Sequence, residues 1–185
     1  NVFNVAVGSN AGAAITTGVE NTIIGGLAGD ALTDADFNIA IGVAALSADT
    51  KGNKTVAIGT GALQTQNFTS SADTHNTAVG YLAGSAVTSG INNTLIGGLA
   101  GDATTTGASN VALGYLALSA NTTGGNNTAV GTEAGAANTT ATQNTFIGNK
   151  AGTAVTTGTD NVFIGSQTGD GTDDGANNVA VGFQA

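Results

Sequence analysis

The sequence has no cysteine, proline, methionine, tryptophan or arginine, and it is poor in aromatic (4%) and charged (8%) residues. Each shortage excludes something. Without cysteine there is neither a disulfide framework nor a thiolate metal site. With so few large aromatics the chain cannot build a thick globular core. Only Lys51, Lys54 and Lys150 oppose twelve acidic residues, for a net charge of −9. That balance repels a phosphate backbone instead of releasing its counterions, so nucleic acid is not an expected partner. No apolar run approaches the roughly 20 residues of a spanning helix. Membrane insertion is therefore not expected, and no signal-peptide pattern stands out.

What the sequence does have is glycine, thirty of them, and a 41% hydrophobic content placed with strict regularity, which argues against disorder. The stretch Asn-Thr-Ala-Val-Gly-Tyr-Leu-Ala-Gly from Asn76 to Gly84 recurs along the whole chain. Its Gly80 has counterparts at Gly8, Gly25, Gly42, Gly59, Gly97, Gly114, Gly131, Gly148, Gly165 and Gly182, giving eleven motifs at 17-residue steps. The one longer step, 21 residues from Gly59 to Gly80, places a four-residue insertion within the polar run 64–75. The first motif opens at Asn4 and the eleventh stops at its eighth position, Ala185. We expect residues 1–185 to be a single repeat array, a segment of a longer fibre.

With each repeat numbered from its Asn, as from Asn76, positions two and four are β-branched almost throughout, from Val5 and Val7 to Val179 and Val181. A spacing of two puts them on one face of a strand, and β-branched side chains suit a pleated, buried surface. Position three points the other way and is also apolar, as Ala, Ile23, Leu95, Phe146 or Phe163. Bulk there alternates with bulk at position six: Ile23 goes with Gly26 and Leu95 with Gly98, whereas Ala78 goes with Tyr81 and Ala112 with Tyr115. Such exchange suggests that positions three and six share one packing space.

Glycine at position five in all eleven repeats marks either a backbone with positive φ or a close approach of another backbone. Alanine at position eight, as at Ala83, implies a tight corner. The Thr- and Gly-rich second half of each repeat carries turn signals. No stretch has apolar residues at helical spacing. The expected fold is all-β: a parallel β-solenoid, or β-roll, of about eleven 17-residue coils. Each coil should carry two short strands and two turns and should stack at about 4.8 Å into a rod roughly 50 Å long. Asparagine at position one, replaced only by Thr55, should form a ladder along the rod. Burial within one thin coil is meagre, so we expect position three to pack against other copies of the chain.

Asn38-Ile39-Ala40-Ile41-Gly42 and Asn178-Val179-Ala180-Val181-Gly182 carry a resemblance. The motif is similar to the head repeats of trimeric autotransporter adhesins, a style of repeat also found in bacteriophage tail-fibre shafts, and the likeness covers all eleven repeats. Adhesin repeats are commonly shorter than 17 residues, and neither a heptad stalk nor an anchor is present to tell the two groups apart. The resemblance implies a left-handed β-roll, a homotrimer, an extracellular location on a cell-surface appendage or virion tail fibre, and attachment to a host-surface receptor or glycan.

Chemistry has little to work with. His75, the only histidine, sits in the insertion near Asp73, Ser70 and Ser71, where a nucleophile and base can be imagined. An exposed polar loop is the far simpler explanation, since loops carry such residues by default, and Asn67, Phe68, Asp73 and His75 are read as a contact loop, not a catalytic one. No catalytic residue and no cofactor is assigned. Asp170, Asp173 and Asp174 resemble a calcium loop, as more loosely do Asp30, Asp34 and Asp36, although Asp is ordinary in turns. The expected structural positions are Asn76, Val79, Gly80, Ala83, Gly97 and Gly114. The expectation is a non-enzymatic fibre or adhesin segment. The alternatives are an ice-binding solenoid, using the threonines at position thirteen such as Thr16, Thr88 and Thr122, or a subunit of a self-assembling extracellular filament.

Overall fold

The computed structural model describes residues 3–171 and 174–185, and among these there is no helix. The strands are β1 (Val5–Val7), β2 (Thr22–Ile24), β3 (Ile39–Ile41), β4 (Gly52–Asn53), β5 (Val56–Ile58), β6 (Ala72–Asp73), β7 (Thr77–Val79), β8 (Thr94–Ile96), β9 (Val111–Leu113), β10 (Thr128–Val130), β11 (Thr145–Ile147), β12 (Val162–Ile164) and β13 (Val179–Val181). Eleven of them, all but β4 and β6, form one parallel sheet in chain order. Each residue pairs with its equivalent one repeat on, as Thr94 does with Val111, and Val56 meets Thr77 across the longer repeat. The chain is a parallel β-solenoid.

Only one strand per coil is regular, where two were expected. The second half of the coil is a succession of turns, and β4 with β6, beside the insertion, is the only second strand pair among the described residues. The backbone explains this. Positions seven, nine and seventeen of every complete coil lie in the left-handed region, for example Leu82 at φ 53°, Gly84 at 59° and Asn92 at 59° in one coil. Extension cannot survive three such reversals. Stacking does survive, because hydrogen bonds between successive coils continue round the perimeter, as from Gly84 N to the Ala100 carbonyl (2.9 Å) and from Thr88 N to that of Thr105 (2.9 Å).

The strand ends at the position-five glycine, and both explanations for it hold together. Gly80 has φ 142°, and a Cβ on it would stand 2.4 Å from the carbonyl oxygen of Gly97 in the next coil. Position one closes the opposite corner. The Asn93 Oδ1 accepts from the backbone N–H of Asn110 (3.0 Å), while its Nδ2 donates to the carbonyl of Gly107 in its own coil (2.9 Å). The same two bonds recur at Asn21, Asn38, Asn127 and Asn144. This is the expected ladder, and each rung is also a clamp.

The core reverses the expected faces. Position three points into the coil: Ile23, Ala78, Leu95, Phe146 and Phe163 are all at most 1% exposed. Positions two and four point outward, with Ile24, Val111, Leu113 and Ile164 still exposed in mid-rod. Beta-branching favours an extended backbone on either face, so it marked the strand correctly and its buried side wrongly. The exchange between positions three and six is not a shared space either, since Tyr81 and Tyr115 are exposed while position three is enclosed. The packing partner of position three is position nine. Coils with Leu46, Leu63 or Leu118 there have alanine at position three, and coils with Ile23, Leu95, Phe146 or Phe163 have glycine there. A Cβ on Gly152 would lie 2.3 Å from Phe146 Cδ1, and one on Gly169 2.3 Å from Phe163 Cδ2. The two phenylalanines stack across coils at 6.0 Å.

Candidate functional site

Two features break the uniformity of the rod's surface: the insertion, and the outward face of the strands. The insertion begins after Asn67, which is level with Thr88, and ends before Ala72, which is level with Gly52. Four residues, 68–71, stand there where other coils have one, and the last surplus residue is a bulge beside Asp73 and Thr74. Asn67, Asp73 and His75 are exposed and Phe68 is half-buried. The loop is fastened to the rod by Thr50 Oγ1, which donates to the Phe68 carbonyl (2.8 Å), and by Asn53 Nδ2, which donates to Ser71 Oγ (3.0 Å). An ion pair between Lys54 Nζ and Asp73 Oδ2 (2.5 Å) holds the Asp73 carboxyl below its usual range. The His75 imidazole takes part in no hydrogen bond among the described residues, and its backbone occupies the left-handed position-seventeen site at φ 51°.

Beneath the loop lies a buried polar network. Thr55 interrupts the asparagine ladder, and its hydroxyl meets that of Thr74 (2.7 Å) and accepts from Gln66 Nε2 (3.0 Å). Gln66 Nε2 also donates to Asp49 Oδ2 (2.7 Å), Asp49 Oδ1 accepts from the N–H groups of Gly52 and Phe68 (both 3.0 Å), and Asn76 Nδ2 donates to Gln66 Oε1 (2.8 Å). Buried polar groups need such partners. The network therefore replaces the missing rung and ties the insertion's first residue to the core. Two sequence signals pointed at it without being read together: the missing asparagine at Thr55, and polar residues, Asp49 and Gln66, at two successive inward positions.

The strand face is uncharged from end to end and mostly apolar. Position four is valine, isoleucine or leucine in all eleven coils, position two is threonine in five and valine or isoleucine in six, and neither is ever charged. At about 4.8 Å per coil the strip is roughly 50 Å long. Val43, Tyr81 and Tyr115, just beyond the position-five glycine, extend the exposed apolar surface at its border. Exposed apolar side chains in such a row make this face a candidate interaction surface.

The other expected positions fall as follows. Asn76 and Ala83 are buried, Val79 is half-buried on the outward face, and Gly80, Gly97 and Gly114 are position-five glycines at φ 142°, 136° and 141°. The threonines of position thirteen are already engaged along the rod: Thr88 Oγ1 donates to the Thr105 carbonyl (3.2 Å) and Thr122 Oγ1 to that of Thr139 (3.1 Å). They lie in a bend, not on a flat strand. Of the calcium candidates, Asp170 and Asp174 are exposed, Asp174 Oδ1 accepts from Thr157 Oγ1 (3.3 Å), and Asp173 lies outside the described residues. Asp34 and Asp36 accept from Thr17 Oγ1 and the Val19 N–H in the preceding coil. Among the described residues no three acidic or histidine side chains are grouped to hold a metal ion. No protein-family model, no curated protein and no solved structure matches this chain.

Proposed function

We propose that this chain is a non-enzymatic structural segment of an extracellular fibre, assembled as a homotrimer along the outward strand face. The observation that carries this reading is the uncharged apolar strip of positions two and four. A second copy of the same chain suits it best, because its 4.8 Å periodicity is matched only by an equally periodic partner. Charged residues are confined to other positions of the coil, and the insertion emerges from the turn half. A trimer packed through its strand faces would thus present an acidic, polar exterior with one lateral protrusion per chain. The regular coils supply stiffness and reach. The loop around Phe68 to His75 supplies a place to touch a host-surface receptor or glycan, in keeping with the resemblance to adhesin heads and phage fibre shafts.

The test is the solution mass of residues 1–185 by light scattering, one chain being 17.6 kDa. Three times that mass is expected. A monomer at all concentrations would overturn the assembly and leave the strip to a different partner.

A further inference from the structure

Position twelve is aliphatic in four of the ten complete repeats, and there it points into the coil, as at Leu32, Val87 and Val155, all fully buried. In three successive coils it is instead Thr104, Asn121 and Asn138, each 0% exposed. Asn121 Nδ2 donates to the Gly124 carbonyl (3.1 Å) and lies 3.5 Å from Thr104 Oγ1. Its Oδ1 has no partner among the described residues, and neither has Asn138 Oδ1 or Nδ2. This differs from Asp49 and Gln66 at the same inward position, whose polar atoms are engaged in the network under the insertion. An orphaned buried amide costs its full desolvation, and two adjacent coils carrying such groups point to something that satisfies them.

The chemistry of the orphans selects the ligand. They comprise two acceptors and one donor, Asn121 Oδ1, Asn138 Oδ1 and Asn138 Nδ2. A cation would face the donor, and an anion would face both acceptors. Water can donate twice and accept once, and about three hydrogen bonds are typical of a buried water. Besides Asn138, coil eight itself adds only Ala129, Ala134 and Gly135 to the interior, and beside Gly135 the space is lined by Leu118 and Phe146 of the adjoining coils. We propose that Asn121 and Asn138 together bind an ordered water inside the rod, at the junction of the seventh and eighth coils.

The fold supplies its own control. Coil five has the same small residues, Ala78, Ala83 and Gly84, with Val87 at position twelve, so Asn138→Val places a side chain of similar size where this fold already accepts it. If the water is bound, Asn138→Val removes two of its three bonds, strands Asn121 Oδ1 and lowers Tm. The double variant Asn121→Val/Asn138→Val then loses less than the sum of the single changes. A rise in Tm for Asn138→Val, or additive effects, would overturn the proposal, because removing truly unpartnered amides stabilises. A crystal structure gives the direct reading: a water within hydrogen-bond distance of Asn121 Oδ1 and the Asn138 amide supports the site, and its absence overturns it. An anomalous peak there in crystals soaked with rubidium would replace water by a monovalent cation.

Discussion

At the scale of single residues, two backbone demands separate the glycines that the fold requires from those it merely contains. At position five φ is near 135° and the next coil's carbonyl closes the space, so no side chain fits. At position seven the left-handed conformation is held by Leu27, Leu82, Leu99, Leu116 and others, at about 1 kcal/mol or more each. Gly80→Ala is therefore expected to destabilise by about 3 kcal/mol, the upper end of the cost of such backbone strain, as measured by urea denaturation. Asp102 makes a second prediction. Burial pushes its carboxyl above the usual range, and its Oδ1 has no hydrogen-bond partner among the described residues. A raised folded-state pKa means that protonated Asp102 favours the fold at low pH and that this contribution disappears as pH rises through the raised value. At neutral pH the carboxylate is thus a liability. Asp102→Asn should raise Tm at pH 7, with the gain shrinking as the pH falls through the raised value and gone once it is below the ordinary Asp range. An equal gain at all pH values would trace the effect to packing and not to charge.

At the scale of one coil, positions three and nine share room for one large side chain, delivered from one or the other. The rule makes an exchange testable. Phe146→Ala should cost about 3–5 kcal/mol, and Gly152→Leu alone should also destabilise, because its Cβ would lie 2.3 Å from the Phe146 ring. Combined, they reproduce the arrangement of Ala40 with Leu46, whose φ of 53° resembles the 63° of Gly152. The double variant should be more stable than the two single losses predict, as a double-mutant cycle would show. This exchange stood in the sequence all along, because every Leu at position nine accompanies an alanine at position three. The exchange with position six showed there too, fitting less well only at Phe146 with Asn149, and nothing in a string of residues says that Tyr81 stands outside the coil. The clamp at Asn93 was legible as a ladder. Its second bond, to Gly107 fourteen residues on, depends on the path of the turn.

At the scale of the molecule, the outward apolar strip decides between a rod that functions alone and one that assembles. Glutamates at Ile58 and Ile96, two outward position-four sites, leave the enclosed core untouched. On the assembly proposed above, Ile58→Glu/Ile96→Glu should give a monomer by light scattering with an unchanged circular dichroism spectrum. An intact oligomer would place the interface on another face. The insertion obeys a molecular constraint too. Surplus residues can leave the rod only where they do not break the coil-to-coil bonds, and here they leave at the turn after Asn67 while Asp49, Thr55, Gln66 and Thr74 repair the ladder beneath.

The sequence by itself determined the period, the strand positions, the glycine corners, the asparagine ladder and the place of the insertion. The strands, glycines and asparagines recur at seventeen-residue steps and the insertion is the one break in that step; a local backbone demand met at every turn leaves its mark at every turn. It could not determine which side of the strand is inside. Position three and its neighbours are apolar alike, and alternation distinguishes two faces only when one of them is polar. That choice was made by closure. Seventeen residues with three left-handed reversals and a φ near 135° at position five curl towards position three. The β-branched residues are left outside, where a partner can cover them.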